Sequence, residues 1–280
     1  MWSTRGGDSG SIESPSAVRQ WPAPDLCGGA ARGRASCIVR DVKIVVVEPG
    51  MFGVESCRAF LILAGAFPAP VLGLPTGKTP VPLYETLRER SLLGEISLAR
   101  FAAPFAIDEY GVSDPFHPCA NRAFFPRYWD SIPETTPVRQ FDPAASDREA
   151  EAGRMAGEIA AAGGLDLAVL GIGLNGHLAF NEPGSERSAG TRVVELSPES
   201  RSAAARCFGE VTPAWGLTLG LKELLGAKRV LLLANGGAKA AIMARALEGD
   251  VGPECPASFL REHADVTVLL DADAARLLSH

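Results

Sequence analysis

From Val42 onward one pattern recurs along the chain: a short run of aliphatic or β-branched residues, then a longer stretch whose apolar positions return at helical spacing. Residues 44–47 read as a strand, 54–66 as a helix, 69–74 as the next strand and 79–90 as the helix after it. Further along, 166–171, 229–234 and 266–270 read as strands, and 147–162 and 238–247 as helices. The strands are apolar along their length instead of alternating, which suits burial on both faces. Strands of that kind, divided by amphipathic helices, predict an α/β domain: a Rossmann-like, doubly wound, mostly parallel sheet with helices on both faces. No period of solenoid length is visible.

Residues 1–38 lack this pattern. They are rich in Gly, Ser, Pro, Ala and Arg, a composition that cannot offset the entropy of ordering, so a disordered tail is expected there, with 39–280 as a single domain. Arg5, Arg19, Arg32, Arg34 and Arg40 hint at a targeting peptide, but Asp8, Glu13 and Asp25 count against one. No apolar run reaches the ~18 residues of a membrane helix, and the first residues lack a secretory leader, so an intracellular, cytoplasmic protein with no membrane partner is expected. The net charge of −6, without a basic run or stripe, argues against a nucleic-acid partner but leaves room for a small anion held by a few local groups. Cys27, Cys37, Cys57, Cys119, Cys207 and Cys255 are scattered, with no C-x-x-C pair or zinc spacing, and are expected as free thiols in a reducing compartment.

In sheets of this type ligands bind beyond the carboxyl ends of the strands, where loops lead into helices. Three such places carry chemistry. Gly73-Leu74-Pro75-Thr76-Gly77-Lys78-Thr79-Pro80 lies between a strand and a helix. Gly77 permits unusual backbone angles, Thr79 can cap and Pro80 suits a first helical turn, so Thr76, Gly77, Lys78 and Thr79 form a candidate anion cradle, although the Walker spacing is absent and an ordinary turn would look similar. Ile107-Asp108-Glu109-Tyr110 ends an apolar run, and adjacent carboxylates on extended backbone point to opposite sides. Asp108 is the candidate base; a helix cap or a surface acid is the plain alternative.

The third place is Gly171-Ile172-Gly173-Leu174-Asn175-Gly176-His177-Leu178-Ala179-Phe180-Asn181-Glu182-Pro183-Gly184. Its glycines let backbone approach a ligand, and His177, Asn175 and Glu182 could share one cleft, where a neighbouring carboxylate would fix the His177 tautomer and raise its basicity; a satisfied structural His is the plain alternative. Arg192 in Gly190-Thr191-Arg192 and Lys239 after Asn235-Gly236-Gly237-Ala238 suit a phosphate dianion, one as a fork and the other as a point charge, although each taken alone also reads as an ordinary surface residue. No metal motif is present, and proton transfer beside a carbonyl needs neither metal nor cofactor once an acid and a base are positioned.

These strings resemble the glucosamine-6-phosphate deaminase/isomerase family, which is related to the 6-phosphogluconolactonases. The resemblance runs through Leu72 to Pro80, Asp108-Glu109-Tyr110, 171–184, Thr191-Arg192 and Pro256-Ala257-Ser258-Phe259-Leu260, and the Gly-His-Leu-Ala-Phe-Asn-Glu-Pro string is similar to the deaminase branch. It implies that Asp108 abstracts a proton, His177 opens the sugar ring, Glu182 orients His177, and Arg192, Lys239 and the Gly77 loop clamp a 6-phosphate. It also implies an amino-sugar phosphate as the small-molecule partner, deaminated to fructose 6-phosphate, and leaves a homo-oligomer open, since hexamers and monomers both occur among relatives. Asn175 stands where some members carry Asp, and 111–121 departs from the usual sequence after Asp-Glu-Tyr. A galactosamine-6-phosphate deaminase, a 6-phosphogluconolactonase and a non-enzymatic sugar-phosphate sensor are the alternatives.

Overall fold

The computed structural model describes residues 18–20, 42–101, 103–112, 114 and 117–279. Its main sheet has seven strands in the order β1-β2-β10-β9-β6-β3-β4. β2 (Lys43–Val47), β3 (Val71–Leu74), β4 (Ala103–Ala106), β6 (Leu167–Gly171), β9 (Arg229–Ala234) and β10 (Val266–Asp271) all run parallel, and β1 (Val18–Gln20) pairs antiparallel with β2 at one edge. Three residues of the stretch expected as a disordered tail are therefore paired strand; the rest of that expectation lies outside the described residues. The chain carries the sequence-derived strands to within one or two residues.

Successive residues of the central strands feed opposite cores. Leu167 and Val169 of β6 and Leu231 and Leu233 of β9 pack with α1 (Phe52–Gly65), α2 (Val81–Leu92) and α3 (Asn121–Tyr128). Ala168 and Leu170, with Val230, Leu232 and Ala234, pack with α4 (Arg148–Ala161), α6 (Leu221–Leu225), α7 (Ala240–Glu248) and α8 (Ala272–Ala275) on the other face. That two-sided burial is why these strands carry no polar alternation. Among the described residues no helix is long and apolar enough to cross a membrane.

A second, three-stranded antiparallel sheet, which the strand pattern did not disclose, joins β5 (Asp108–Tyr110), β8 (Trp215–Thr218) and β7 (Arg192–Glu195) in the order β5-β8-β7, and α5 (Pro198–Phe208) follows β7. Its strands are three or four residues long, too short for a periodicity to stand out. The cysteine expectation also needs correction. Cys119 and Cys207 are joined as a disulfide with Cα atoms 5.9 Å apart, a contact between residues 88 positions apart that linear spacing cannot reveal. Cys57 and Cys255 are free and buried, and Cys27 and Cys37 lie outside the described residues.

Candidate active site

The chain order of the parallel strands reverses between β3 and β6: β3 leads outward to β4, whereas β6 leads the other way to β9 and β10. Loops leaving two strands at such a point diverge and open a crevice at their carboxyl ends. The candidate segments leave four strands that are neighbours here. Loop 75–80 follows β3, Asp108 follows β4, 172–184 follows β6 and 235–239 follows β9.

In loop 75–80 Gly77 has φ +91°, the left-handed region that glycine adopts at little cost. Tyr84, fully buried, donates its hydroxyl to Pro75 O at 2.8 Å and ties α2 to the loop's first turn. The expected cap is corrected: α2 starts at Val81, its N-cap is Pro80 with no side-chain bond, and Thr79 lies before it. Thr76 and Thr79 are partly exposed, and Gly77 and Lys78 are exposed.

The paired acids separate as extended backbone requires. Glu109 turns inward and accepts from Tyr110 N (2.8 Å), Asn121 N (2.8 Å) and Arg122 N (2.7 Å), fastening the start of α3. Asp108 is partly buried on the other side, where Asn121 Nδ2 donates to its Oδ1 at 2.6 Å. Burial pushes the Asp108 carboxyl up to about 7, opposed by the charge of His177 and the Asn121 bond.

His177 Nδ1 lies 3.2 Å from Glu182 Oε2, which also accepts from Asn175 Nδ2 at 2.8 Å, while Asn175 Oδ1 accepts from His177 N at 3.2 Å. The other Glu182 oxygen accepts from Ser200 Oγ of α5. Burial opposes the Glu182 charge, but the hydrogen bond and charge of His177, with the Ser200 and Asn175 donors, prevail and hold it at about 2. A side chain at Gly173 would put its Cβ 2.4 Å from His177 Cε1 and Nε2, so the ring lies directly over that glycine. With Nδ1 occupied by Glu182, Nε2 is the nitrogen left for chemistry.

The second sheet fastens this loop beside Asp108. Thr218 of β8 pairs in register with Asp108 on one side and Arg192 on the other, and its Oγ1 accepts from Phe180 N at 3.1 Å. Asn181, fully buried, donates to Leu178 O and Leu219 O and accepts from Arg192 Nη1 at 2.9 Å. Arg192 also donates to Gly190 O and Ser185 Oγ. Lys239 reaches the same loop from β9 and donates to Ile172 O, its turn held by Gly236 N on the Asp271 carboxylate. Burial lowers the pKa of both cations.

Asn175, His177 and Glu182 thus form one hydrogen-bonded cluster whose imidazole charge acts on Asp108, whereas Arg192 and Lys239 each hold a different part of the loop. Asn121, Asn181, Ser200 and Thr218 were not singled out from sequence. Asn181 had a signal, being inside the glycine-rich string, but the others come from elements whose position only the fold reveals. Among the described residues no group of three or more His, Cys, Asp or Glu is arranged to hold a metal ion.

Comparison with known proteins identifies the family of the chain. Residues 68–269 match the family described as glucosamine-6-phosphate isomerases/6-phosphogluconolactonase. A glucosamine-6-phosphate deaminase of Rhodopirellula baltica is 40% identical over 215 residues, covering 75% of this chain and 85% of its own, and one of Hahella chejuensis is 38% identical over 234 residues, covering 81% and 86%. Among solved structures, a monomeric glucosamine-6-phosphate deaminase described as a missing link of the NagB superfamily superposes with a TM-score of 0.79 at 33% identity, covering 84% of this chain and 100% of its own. The 6-phosphogluconolactonase of Trypanosoma cruzi shares the fold, with a TM-score of 0.69 at 24% identity over 85% and 97% of the two chains. The chain belongs to the glucosamine-6-phosphate isomerase/6-phosphogluconolactonase family.

Proposed function

We propose that the protein is a cytoplasmic glucosamine-6-phosphate deaminase, converting glucosamine 6-phosphate and water to fructose 6-phosphate and ammonia. What supports this reading is the Glu182-held imidazole of His177, on a loop that Thr218 ties to the strand of Asp108 at the strand-order reversal, in a chain whose deaminase relatives are about 40% identical. The phosphoryl group is assigned to Lys239 and the free N–H groups of loop 76–79, with Arg192 completing the clamp beside the loop it braces.

In this mechanism His177, through Nε2, relays the proton between the C1 hydroxyl and the ring oxygen, which opens the pyranose. Asp108 then removes the proton at C2 and returns it to C1, turning the 2-amino aldose into a 2-imine by way of an enolamine. Water adds at C2, the C2–N bond breaks and ammonia leaves. Glu182 stays ionised throughout, stabilising the imidazolium as it forms. Each positioned proton-transfer group contributes about 10²–10⁴-fold, and fixing the phosphate directs remote binding energy to placing C2 against Asp108.

The test is ammonia release from glucosamine 6-phosphate and galactosamine 6-phosphate, measured beside hydrolysis of 6-phosphogluconolactone. Ammonia from the gluco isomer with negligible lactone hydrolysis supports the reading. Preference for the galacto isomer or the lactone would replace it with that activity, and binding without turnover would make the protein a sensor.

A further inference from the structure

α5 meets the active site at both of its ends. Its buried residues are Ser200, Ala204 and Phe208, one stripe at i, i+4 and i+8, and its other side is exposed. In the first turn Ser200 donates to the Glu182 oxygen that His177 and Asn175 leave free. At the last turn Phe208 packs edge-on against Tyr110, with ring centres 5.1 Å apart, and stacks on His117 at 4.7 Å. Ala204 and Phe208 form a small apolar cluster with Val112 and Ala120, separate from the two main cores. A helix docked through so narrow a stripe is a locally weak element.

Cys207, in the same last turn, is bonded to Cys119, and Asn121 two residues beyond Cys119 donates to Asp108. The bond thus joins the helix that touches Glu182 to the segment that touches Asp108. Cys207 is exposed and Cys119 partly exposed, so a thiol can reach the bond. Surface disulfides of this kind are characteristic of redox-sensing positions when they occur in reducing compartments.

We propose that the Cys119–Cys207 disulfide is a redox-sensitive strap holding α5 against the active site, and that Ser200 is the positioning residue through which the strap acts on Glu182 and His177. The proposal about the relay rests on the deaminase reading; the strap itself does not. Opening requires a dithiol reductant. Its thiolate attacks the exposed Cys207 sulfur, the S–S bond breaks, and Cys119 leaves and takes up a proton. The second thiol of the reductant then displaces Cys207, which also ends as a thiol, and the reductant leaves as its own disulfide after giving up two electrons. Freed α5 exchanges between docked and undocked positions, and Glu182 loses the Ser200 donor for part of the time.

The experiment is paired amide hydrogen exchange and ammonia-release kinetics on the oxidised protein, the protein reduced by dithiothreitol, the reoxidised protein and Cys207→Ser. Reduction should speed exchange across 198–208 by about tenfold or more and lower kcat about three- to tenfold, with KM changed less than about twofold, because Ser200 is placed on Glu182 and not on the sugar. Reoxidation should restore both, and Cys207→Ser should match the reduced protein and ignore dithiothreitol. Ser200→Ala should lower kcat without matching the exchange change, and Ser200→Thr should recover it. Identical exchange in the oxidised and reduced states would overturn the strap. Faster exchange with unchanged kcat would overturn the role of Ser200. Absence of ammonia from every sample would defeat the deaminase reading while the exchange data still decide the strap.

Discussion

Asp108 and Arg192 occupy one row of the three-stranded sheet, each paired in register with Thr218 of the strand between them. Residues directly opposite in antiparallel strands point to the same face, and two strand spacings set the Asp108 and Arg192 backbones roughly 10 Å apart. Thr218 in the middle takes Phe180 N, so this row is the floor on which the loop bearing His177 and Glu182 rests. Asp108 and the His177–Glu182 pair, the proposed base and acid–base pair, come from different sheets, and this seam ties the two together.

Asp108→Asn should remove turnover by at least about a hundredfold with KM nearly unchanged. As a base Asp108 must be ionised, and burial lifts it from 3.8 to about 7, so kcat/KM of the unaltered protein should fall as pH drops below about 7. The stability consequence has the opposite sign. A carboxyl with a raised pKa stabilises the fold below its unfolded pKa, and this is lost as pH rises through about 7. Asp108→Asn should therefore raise Tm at pH 8, by about 2–4 °C per kcal/mol relieved, and by less as the pH is lowered. A variant that is both less active and no more stable at pH 8 would show that Asp108 is not held in a desolvating site.

Gly173→Ala should damage catalysis without unfolding the protein. The added Cβ would stand 2.4 Å from the His177 ring, which must swing off its position over the glycine. A displacement of about 1 Å at a catalytic group can cost on the order of 10²-fold in rate. Gly77→Ala is the control: nothing lies within 4 Å of its Cβ, and the cost is that of φ +91° for an L residue, about 1–2 kcal/mol. Its effect should appear in KM. Circular dichroism and separate kcat and KM values distinguish the two outcomes.

Much of the fold can be read from the chain because the central strands obey a rule stated in their composition. Leu167 to Leu170 and Val230 to Ala234 are apolar on both sides and are buried on both sides. Asp147 and the 148–161 helix it caps are equally direct, with Asp147 Oδ1 accepting from Ala150 N. The second sheet was not legible, since a three-residue strand such as Asp108–Tyr110 is defined by its partners and not by its pattern. α5 was not among the helices read from the sequence, although Ser197-Pro198-Glu199 carries a start signal, a capping serine before a first-turn proline, and Ser197 caps Ser200 N. That Ser200 then reaches Glu182, or that Cys207 meets Cys119, depends on tertiary placement that no local signal encodes.

Asn175→Asp tests why an amide stands at this position. Its Nδ2 donates to Glu182 Oε2 at 2.8 Å, so an aspartate would replace a donor with a second carboxylate facing the first. Glu182 should then rise from about 2, and the cluster should hold a proton more tightly. A depressed carboxyl stabilises the fold above its unfolded pKa, and this is lost as pH falls through its folded value. The variant should forfeit part of that stabilisation at pH 7, and its deficit should shrink at pH 4 as one carboxyl protonates. The rate profile should move to higher pH. Melting curves at the two pH values and the kcat/KM profile are the measurements, and superimposable profiles would remove Asn175 from any tuning role.

Lys239 and Arg192 should respond differently to truncation, although both suit a phosphate dianion. Among the described residues Lys239 has a single donor contact, to Ile172 O, and burial disfavours its charge, so a bound dianion gains by supplying a counter-charge. Lys239→Ala should raise KM about 10–100-fold, lower kcat less and abolish competitive inhibition by inorganic phosphate. Arg192 instead bonds Asn181, Gly190 and Ser185, and Asn181 in turn holds Leu178 and Leu219. Its removal leaves the fully buried Asn181 Oδ1 without that donor, at a cost of about 1–3 kcal/mol. Arg192→Ala should therefore lower Tm and kcat together as well as raising KM, and Arg192→Lys, whose single ammonium cannot reproduce the fork, should resemble it. A rise in KM alone, with Tm and kcat unchanged, would make Arg192 a phosphate ligand and nothing more.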